Sequence, residues 1–310
     1  MGVPQGSVLG PLLFIIHIND LINSTNFKML NFADDTLLYF NFNNPKNAQT
    51  YLNTELNKVL QWLETNNLKL NTSKTKYMLF TPKSKKYNNI NFKLKFSDGT
   101  EIEKVSEYKY LGLIIDNKLT WKSHIKHLTS KLSRSLGILY KLRHLVSKNV
   151  LLTVFHSLFL SHINYGILCW GRSNKTILQP IIILMNKALR CINFCGPQEH
   201  VEEFLLKDRL LQINELFKME LAKFMYNYNN NLPNCFNQYF TRITNIHNYN
   251  TRASKNNYFM PRKNSVKGQS GLNYLGPRLW SEIPDNVKYK KTLKSFINSY
   301  KTVLLNFYIT

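Results

Sequence analysis

Two adjacent carboxylates, Asp34 and Asp35, lie between Phe27, Met29 and Leu30 on one side and Leu37, Leu38, Tyr39 and Phe40 on the other. Apolar runs broken by a short polar pair read as two strands of a hairpin with acids at its turn. Neighbouring carboxylates repel, so two adjacent charges of this kind are costly to keep together. Both stay ionised beside a sheet when a divalent cation neutralises them, so the chemistry that suits the pair is metal-dependent. The competing reading is a plain polar turn, since Asp side chains cap their own backbone. An independent motif upstream favours the first. Gly2, Pro4, Gln5 and Gly6 precede a helix start at Gly10-Pro11. Gly6 permits close approach of a ligand to backbone, Gln5 offers an amide, and Pro11 suits a first helical turn, where its missing N–H needs no partner.

These residues need elements to position them. A helix is predicted from about Gly10 to Ile22, and its run Leu12 to Ile18 is apolar on nearly every side, as expected for a helix buried beneath a sheet. Two strands then meet at Asp34-Asp35. A long amphipathic helix follows from near Pro45 to Asn66, with Leu52, Leu56, Val59, Leu60 and Leu63 at helical spacing. Further strands are predicted at Tyr77 to Phe80, Ile90 to Phe96 and Tyr108 to Ile115, with Ser97-Asp98-Gly99-Thr100 as a turn. This order fits an α+β unit with an antiparallel sheet and helices on one face.

The segments Gly2-Val3-Pro4-Gln5-Gly6-Ser7 through Phe14, Ile18-Asn19-Asp20-Leu21 and Phe32-Ala33-Asp34-Asp35 resemble the palm of non-long-terminal-repeat retrotransposon reverse transcriptases of the jockey-like type. Trp62, Asn66 to Asn71 and Lys74-Thr75 resemble the helix and strand that complete that palm. Tyr108 to Asp116, with Leu119-Thr120-Trp121 and His124-Ile125, resembles the primer-grip hairpin and its exit into the thumb. The resemblance implies RNA-directed DNA polymerase activity: addition of dNTPs to a DNA primer 3′ end on an RNA template, by two-metal phosphoryl transfer with Mg2+ or Mn2+. It implies that Asp34 and Asp35 are the catalytic metal ligands, Asp34 the more direct. It also implies that Gln5, Gly6 and Lys74 face nucleotide and template, and that Ala33, Leu111 and Gly112 face the primer.

A complete palm of this family carries another aspartate on a strand ahead of the Gly-Val-Pro-Gln-Gly segment, and this sequence begins at Met1. The expectation is therefore a truncated partial palm whose two-ion site is incomplete and whose polymerase activity, taken alone, is absent. The alternative is a non-catalytic nucleic-acid-binding relic of the element.

Composition bears on the partner. Lys plus Arg number 41 against 18 acids, a net charge of +23, which suits a polyanion such as nucleic acid. Aromatic content of 13% adds rings able to stack on exposed bases. Four cysteines, Cys169, Cys191, Cys195 and Cys235, without a signal peptide suit a reducing intracellular compartment, nucleus or cytoplasm. Cys191, Cys195, His200 and Cys235 depart from zinc-ligand spacings, and the pair Cys191 and Cys195 is expected on one buried helix face. No stretch is apolar enough for a membrane span, since Leu151 to Trp170 is interrupted by His156, Ser157, Ser161, His162 and Asn164. Oligomeric state is left open.

Beyond Asp116 the pattern turns helical. Trp121 to Leu145 sets Ile125, Leu128, Leu132, Leu136, Leu139 and Leu142 on one face, with Lys122, Lys126, Lys131, Arg134, Lys141 and Arg143 around the rest. Further helices are expected at Val150 to Cys169, Thr176 to Phe194, Leu211 to Tyr228, Leu272 to Trp280 and Thr292 to Phe307. Residues 231–310 hold twelve basic residues against Glu282 and Asp285. There Arg252, Arg262 and Lys263 beside Tyr249, Tyr258 and Phe259 form a candidate stacking and phosphate patch. Three regions follow: a partial palm at 1–116, a helical thumb or connection at 117–230 and a basic C-terminal region at 231–310.

Overall fold

The helix α1, Gly10–Ile18, begins where the Ser7 hydroxyl accepts the Gly10 N–H at 3.1 Å, satisfying one of the donors that a helix start leaves over. The structure is a computed structural model that describes residues 6–42, 47–81, 92–230, 239–246, 257–306 and 308. The chain divides into two units, Met1–Tyr110 with Ile115–Leu119, and Leu111–Ile114 with Thr120–Thr310.

In the first unit, strands β1, Lys28–Phe32, and β2, Asp35–Tyr39, pair antiparallel. Ile18, Leu21, Met29 and Val59 bury together, with Phe14, Leu38, Trp62 and Leu63 packed around them. This cluster joins α1 and the hairpin to α2, Ala48–Thr65. The expectation that α1 lies wholly beneath a sheet fails. Only Gly10 and Ile18 of this helix are buried, while Leu12, Leu13, Ile15 and Ile16 are exposed, because one narrow face, Phe14 and Ile18, finds apolar partners among the described residues.

A buried carboxylate ties α2 to the hairpin. Glu55 accepts hydrogen bonds from the Thr25 hydroxyl (2.8 Å), the Asn26 N–H (2.7 Å), the Asn26 side-chain amide (3.3 Å) and the Lys58 ammonium (2.6 Å). Burial alone would push this carboxyl up. The Lys58, Asn26 and Thr25 donors outweigh burial and hold it down, from an ordinary 4.5 to about 2. The segment entering β1 is thereby fixed to the middle of α2.

The same helix replaces a strand neighbour further along. Gln49, Asn53 and Asn57 recur every fourth residue, and their side-chain oxygens accept the N–H groups of Lys93 (3.3 Å), Lys95 (3.2 Å) and Ser97 (2.8 Å), every second residue. Four helical residues rise about 6 Å and two extended residues about 6.6 Å, so the two repeats match. Phe92, Leu94 and Phe96 alternate with these donors and bury with Ala48 and Ile102. That is why Phe92 to Phe96 forms no strand as expected: side-chain amides take the donors a ladder would use, leaving one bridge, Lys95 to Glu101. The expected strand at Tyr77 to Phe80 shrinks to β3, Lys76–Tyr77, which pairs parallel with β4, Glu103–Lys104. Small two-stranded ladders therefore stand where one antiparallel sheet was expected.

The predicted single strand Tyr108 to Ile115 is two strands, β5, Glu107–Tyr110, and β6, Leu113–Asp116, either side of Leu111-Gly112. Leu111 (φ +44) and Gly112 (φ +80) both occupy the left-handed region, the requirement of a tight type I′ turn. Glycine meets it without strain and leucine does not.

The second unit is almost wholly helical. α3, Lys122–Leu142, buries Ile125, Leu128, Leu132, Leu136 and Leu139, as its spacing predicts. The next predicted helix is broken into α4, Lys148–Val154, a π-helical turn Phe155–Leu160, α5, Ser161–Asn164, and α6, Ile167–Trp170. Two features explain the interruption. The buried Ser135 of α3 donates to the Leu158 carbonyl at 2.8 Å, and Gly166 (φ +62) sits where a Cβ would approach Leu113 Cδ2 to 2.7 Å. Then come α7, Lys175–Ile192, α8, Glu202–Lys207, and α9, Ile213–Asn230. α10, Val266–Gln269, α11, Leu272–Glu282, α12, Asp285–Lys288, and α13, Leu293–Asn306, complete the unit. One core runs from Ile125 on α3 to Leu305 on α13 and includes Trp170, Ile181, Met225, Trp280 and Phe296. No helix among the described residues is long and apolar enough to cross a membrane.

Substituting Glu55→Gln should destabilise the first unit by about 1–3 kcal/mol, through lost charge-assisted bonds to buried donors. Because the folded-state pKa is depressed, the Glu55 contribution is fully present above pH 4.5 and is lost as pH falls toward about 2. Urea titrations across that range, wild type against variant, should show the gap closing with acid. Gly112→Ala places a Cβ at positive φ, 3.1 Å from Tyr165 Cε1. It should lower stability by about 1–2 kcal/mol in the same measurement, and an unchanged midpoint would contradict the turn geometry.

Candidate active site

The acidic pair lies at a tight turn. Phe32 and Asp35 are the last paired residues of β1 and β2, leaving Ala33 and Asp34 as a two-residue connection. Ala33 holds φ +52, a left-handed conformation costing a non-glycine residue roughly 1–2 kcal/mol, so the hairpin's packing must maintain it. The fixed start of β1 at Glu55 and the burial of Met29 supply that constraint. Asp34 and Asp35 are both exposed, one in the turn and one beginning β2.

Asp35 has one electrostatic neighbour of note. The Tyr110 phenol at the end of β5 is pushed up by burial and further by the Asp35 charge, which places the phenol within reach of the pair's field. Lys74 is exposed in the turn after α2, with its N–H held by the Asn71 side chain at 3.2 Å. Its carbonyl accepts the Tyr108 hydroxyl at 3.1 Å, so β5 is tied to the Lys74 turn. Gly6 is exposed at φ +85 with open space where a Cβ would stand. Gln5 lies outside the described residues. Leu111 and Gly112 belong to the second unit, where the Leu111 carbonyl accepts the Tyr165 hydroxyl at 2.5 Å.

The first unit thus brings together Ala33, Asp34, Asp35 and the edge of Tyr110. Two carboxylates with water can hold a hard cation such as Mg2+, which commonly takes one or two protein carboxylates and completes its shell with water and phosphate oxygens. The donor set fits in that limited sense. Among the described residues no group of three or more His, Cys, Asp or Glu side chains converges as a metal site.

Other sequence-predicted candidates are used structurally. Tyr258 is buried, donates to the Asn229 side chain at 3.2 Å and lies under Arg242, so it is not available to stack on a base. Tyr249 and Arg252 lie outside the described residues, as does Cys235. Cys195 falls beyond the end of α7, its thiol donating to the Asn193 carbonyl at 3.1 Å, so it does not share a helix face with the buried Cys191. Arg143 turns inward over Phe194 instead of lining a basic face. Sequence reasoning missed Glu55, whose signal was available: an acid within the apolar stripe of Leu52, Leu56 and Val59.

Comparison with known proteins bears on this arrangement. Residues 1–115 match the reverse transcriptase (RNA-dependent DNA polymerase) family. The probable RNA-directed DNA polymerase from transposon BS of Drosophila melanogaster is 30% identical over 208 residues, 63% of this chain and 22% of that protein. The RNA-directed DNA polymerase from mobile element jockey of the same species is 28% identical over 204 residues, 62% of this chain and 22% of its own length. A Pol polyprotein from the type-1 retrotransposable element R1 of Nasonia vitripennis is 24% identical over 200 residues, 61% of this chain and 58% of that protein. The chain thus spans about a fifth of the length of the first two relatives. The acidic hairpin thus lies inside the stretch that matches the reverse transcriptase family, and about three-fifths of the chain is similar to RNA-directed DNA polymerases of mobile elements.

Proposed function

We propose that the chain is part of a retrotransposon RNA-directed DNA polymerase that adds dNTPs to a primer 3′ end on an RNA template. In this reading residues 1–116 are a partial palm, 117–230 a thumb or connection and 231–310 a basic C-terminal region. The observation that carries it is the exposed Asp34-Asp35 pair at a strained hairpin turn, within the stretch that matches a reverse transcriptase. Asp34, in the turn, is the more direct metal ligand in this reading, and Asp35 supports it from β2. Mg2+ or Mn2+ held there would supply Lewis-acid stabilisation to the oxygens of an in-line phosphoryl transfer.

The protein's part is positioning. Ala33 sets the acids beside the primer terminus, and Gly6, with open space around its Cα, lets a nucleotide or template approach together with Gln5. Lys74 offers a cation to the triphosphate. Leu111 and Gly112 present backbone to the primer. Phosphoryl transfer demands placement to within about 1 Å, since displacements of that size cost roughly 10²-fold. No third carboxylate joins the pair among the described residues, so catalysis by these 310 residues alone is proposed to be weak or absent. The same observation, with a net charge of +23, favours a second reading: a binding relic that retains nucleic-acid affinity without chemistry.

Primer extension on an RNA template with Mg2+ or Mn2+ separates these. A polypeptide extended at its N-terminus by an aspartate-bearing strand should extend the primer, and Asp34→Asn should reduce the rate by about 10²-fold or more. Robust extension by the 310 residues alone would contradict the incomplete-site proposal. Salt-sensitive binding of an RNA–DNA hybrid without extension in either form would favour the relic.

A further inference from the structure

The second unit holds a cavity of about 260 Å³ lined by Gly112, His124, His127, Leu128, Lys131, Ser161, His162 and Tyr165. Its chemistry is one-sided: three imidazoles, an ammonium and two hydroxyls line it, and no carboxylate does. His124, His127 and Lys131 recur at helical spacing on one face of α3. Ser161, His162 and Tyr165 come from the turn that follows the π-helical segment, a local irregularity frequent at functional sites.

His124 gives the clearest indication that this cluster has a use. The residue is 5% exposed. The Ile114 N–H donates to Nδ1 at 3.4 Å, so in the neutral ring Nε2 carries the hydrogen. That Nε2 is buried with no hydrogen-bond partner among the described residues. A buried donor without an acceptor is costly, and an oxygen ligand would remove the cost.

We propose that this cavity is an anion site that takes a phosphate group, either a backbone phosphate of a bound nucleic acid or a free phosphate ion. In the empty cavity the imidazoles of His124 and His162 are held toward their neutral forms. Burial first, then His127 and Lys131, hold the His124 imidazole down to about 4, and burial, then Lys131 and Arg134, hold His162 below its usual range. A phosphate monoanion or dianion offsets the Lys131 charge, accepts from the ammonium and from imidazole N–H groups, and favours the protonated His162. The Tyr165 hydroxyl, committed as a donor to the Leu111 carbonyl, orients the cavity wall beside the Leu111-Gly112 turn. The site stands on second-unit residues alone, so it does not depend on the polymerase reading.

The test uses the full chain with ring-labelled histidines, inorganic phosphate as the first probe and a fluorescent RNA–DNA hybrid as the second. Added phosphate should shift the His162 and His124 ring signals and raise the His162 midpoint. Lys131→Gln should weaken phosphate binding roughly tenfold, the weight of one charge-assisted contact. With the hybrid, Lys131→Gln should reduce the slope of log affinity against log salt by about one contact if the source is backbone phosphate. Phosphate binding with an unchanged hybrid slope would assign the site to a free ion. His162→Gln serves if Lys131→Gln does not fold, and the wild-type titration needs no variant. Ring signals unmoved by either probe would overturn the proposal, whatever the outcome of primer extension.

Discussion

Glu55 keeps only 3% of its side chain in contact with solvent, and a charge removed from water is tolerated only when its lone pairs are fully used. Thr25, Asn26 and Lys58 use them. The consequence reaches the acidic turn through short covalent paths. Asn26 lies two residues before β1, and β1 runs directly into Ala33 and Asp34. A two-stranded ribbon is marginal in water by itself, and this anchor together with the burial of Met29 holds the hairpin against α2. With it, an alanine can be held at positive φ and two carboxylates can be presented side by side.

The two units use electrostatics in opposite senses. The first concentrates acids at one exposed turn and neutralises its buried acid with fixed donors. The second lines a cavity with one ammonium and three imidazoles and no acid. In the readings proposed above, a ligand of opposite charge completes each arrangement. A net charge of +23 favours polyanions at long range, and the proposed cation would let the acidic turn sit beside them.

Long periodic helices were the most legible part of the sequence. Leu52 to Leu63 and Ile125 to Leu139 carry a 3.6-residue stripe, and α2 and α3 follow it with ends within a few residues. The acidic turn was legible because apolar strands flank it closely. The segment around Leu94 was misread because alternation reports which side chains are buried, not what satisfies the backbone; here the amides of Gln49, Asn53 and Asn57 do so from a helix. The break at Tyr165-Gly166 was hidden because Gly166 is dictated by the distant Leu113 side chain, a contact with no local signature. The His124 cavity was missed for a similar reason: its residues come from three separate segments, around Gly112, His124 to Lys131 and Ser161 to Tyr165, and each histidine alone reads as an ordinary helical one.

The central claim is that the hairpin held by Glu55 presents Asp34 and Asp35 as a divalent-metal pair. Paramagnetic broadening of backbone amides in the full chain on addition of Mn2+ tests it most directly. The account predicts loss of signal centred on Ala33, Asp34, Asp35 and Thr36, and recovery of those signals in the Asp34→Asn, Asp35→Asn double variant. Broadening that is absent from the hairpin, or centred elsewhere and unchanged in the double variant, would contradict it.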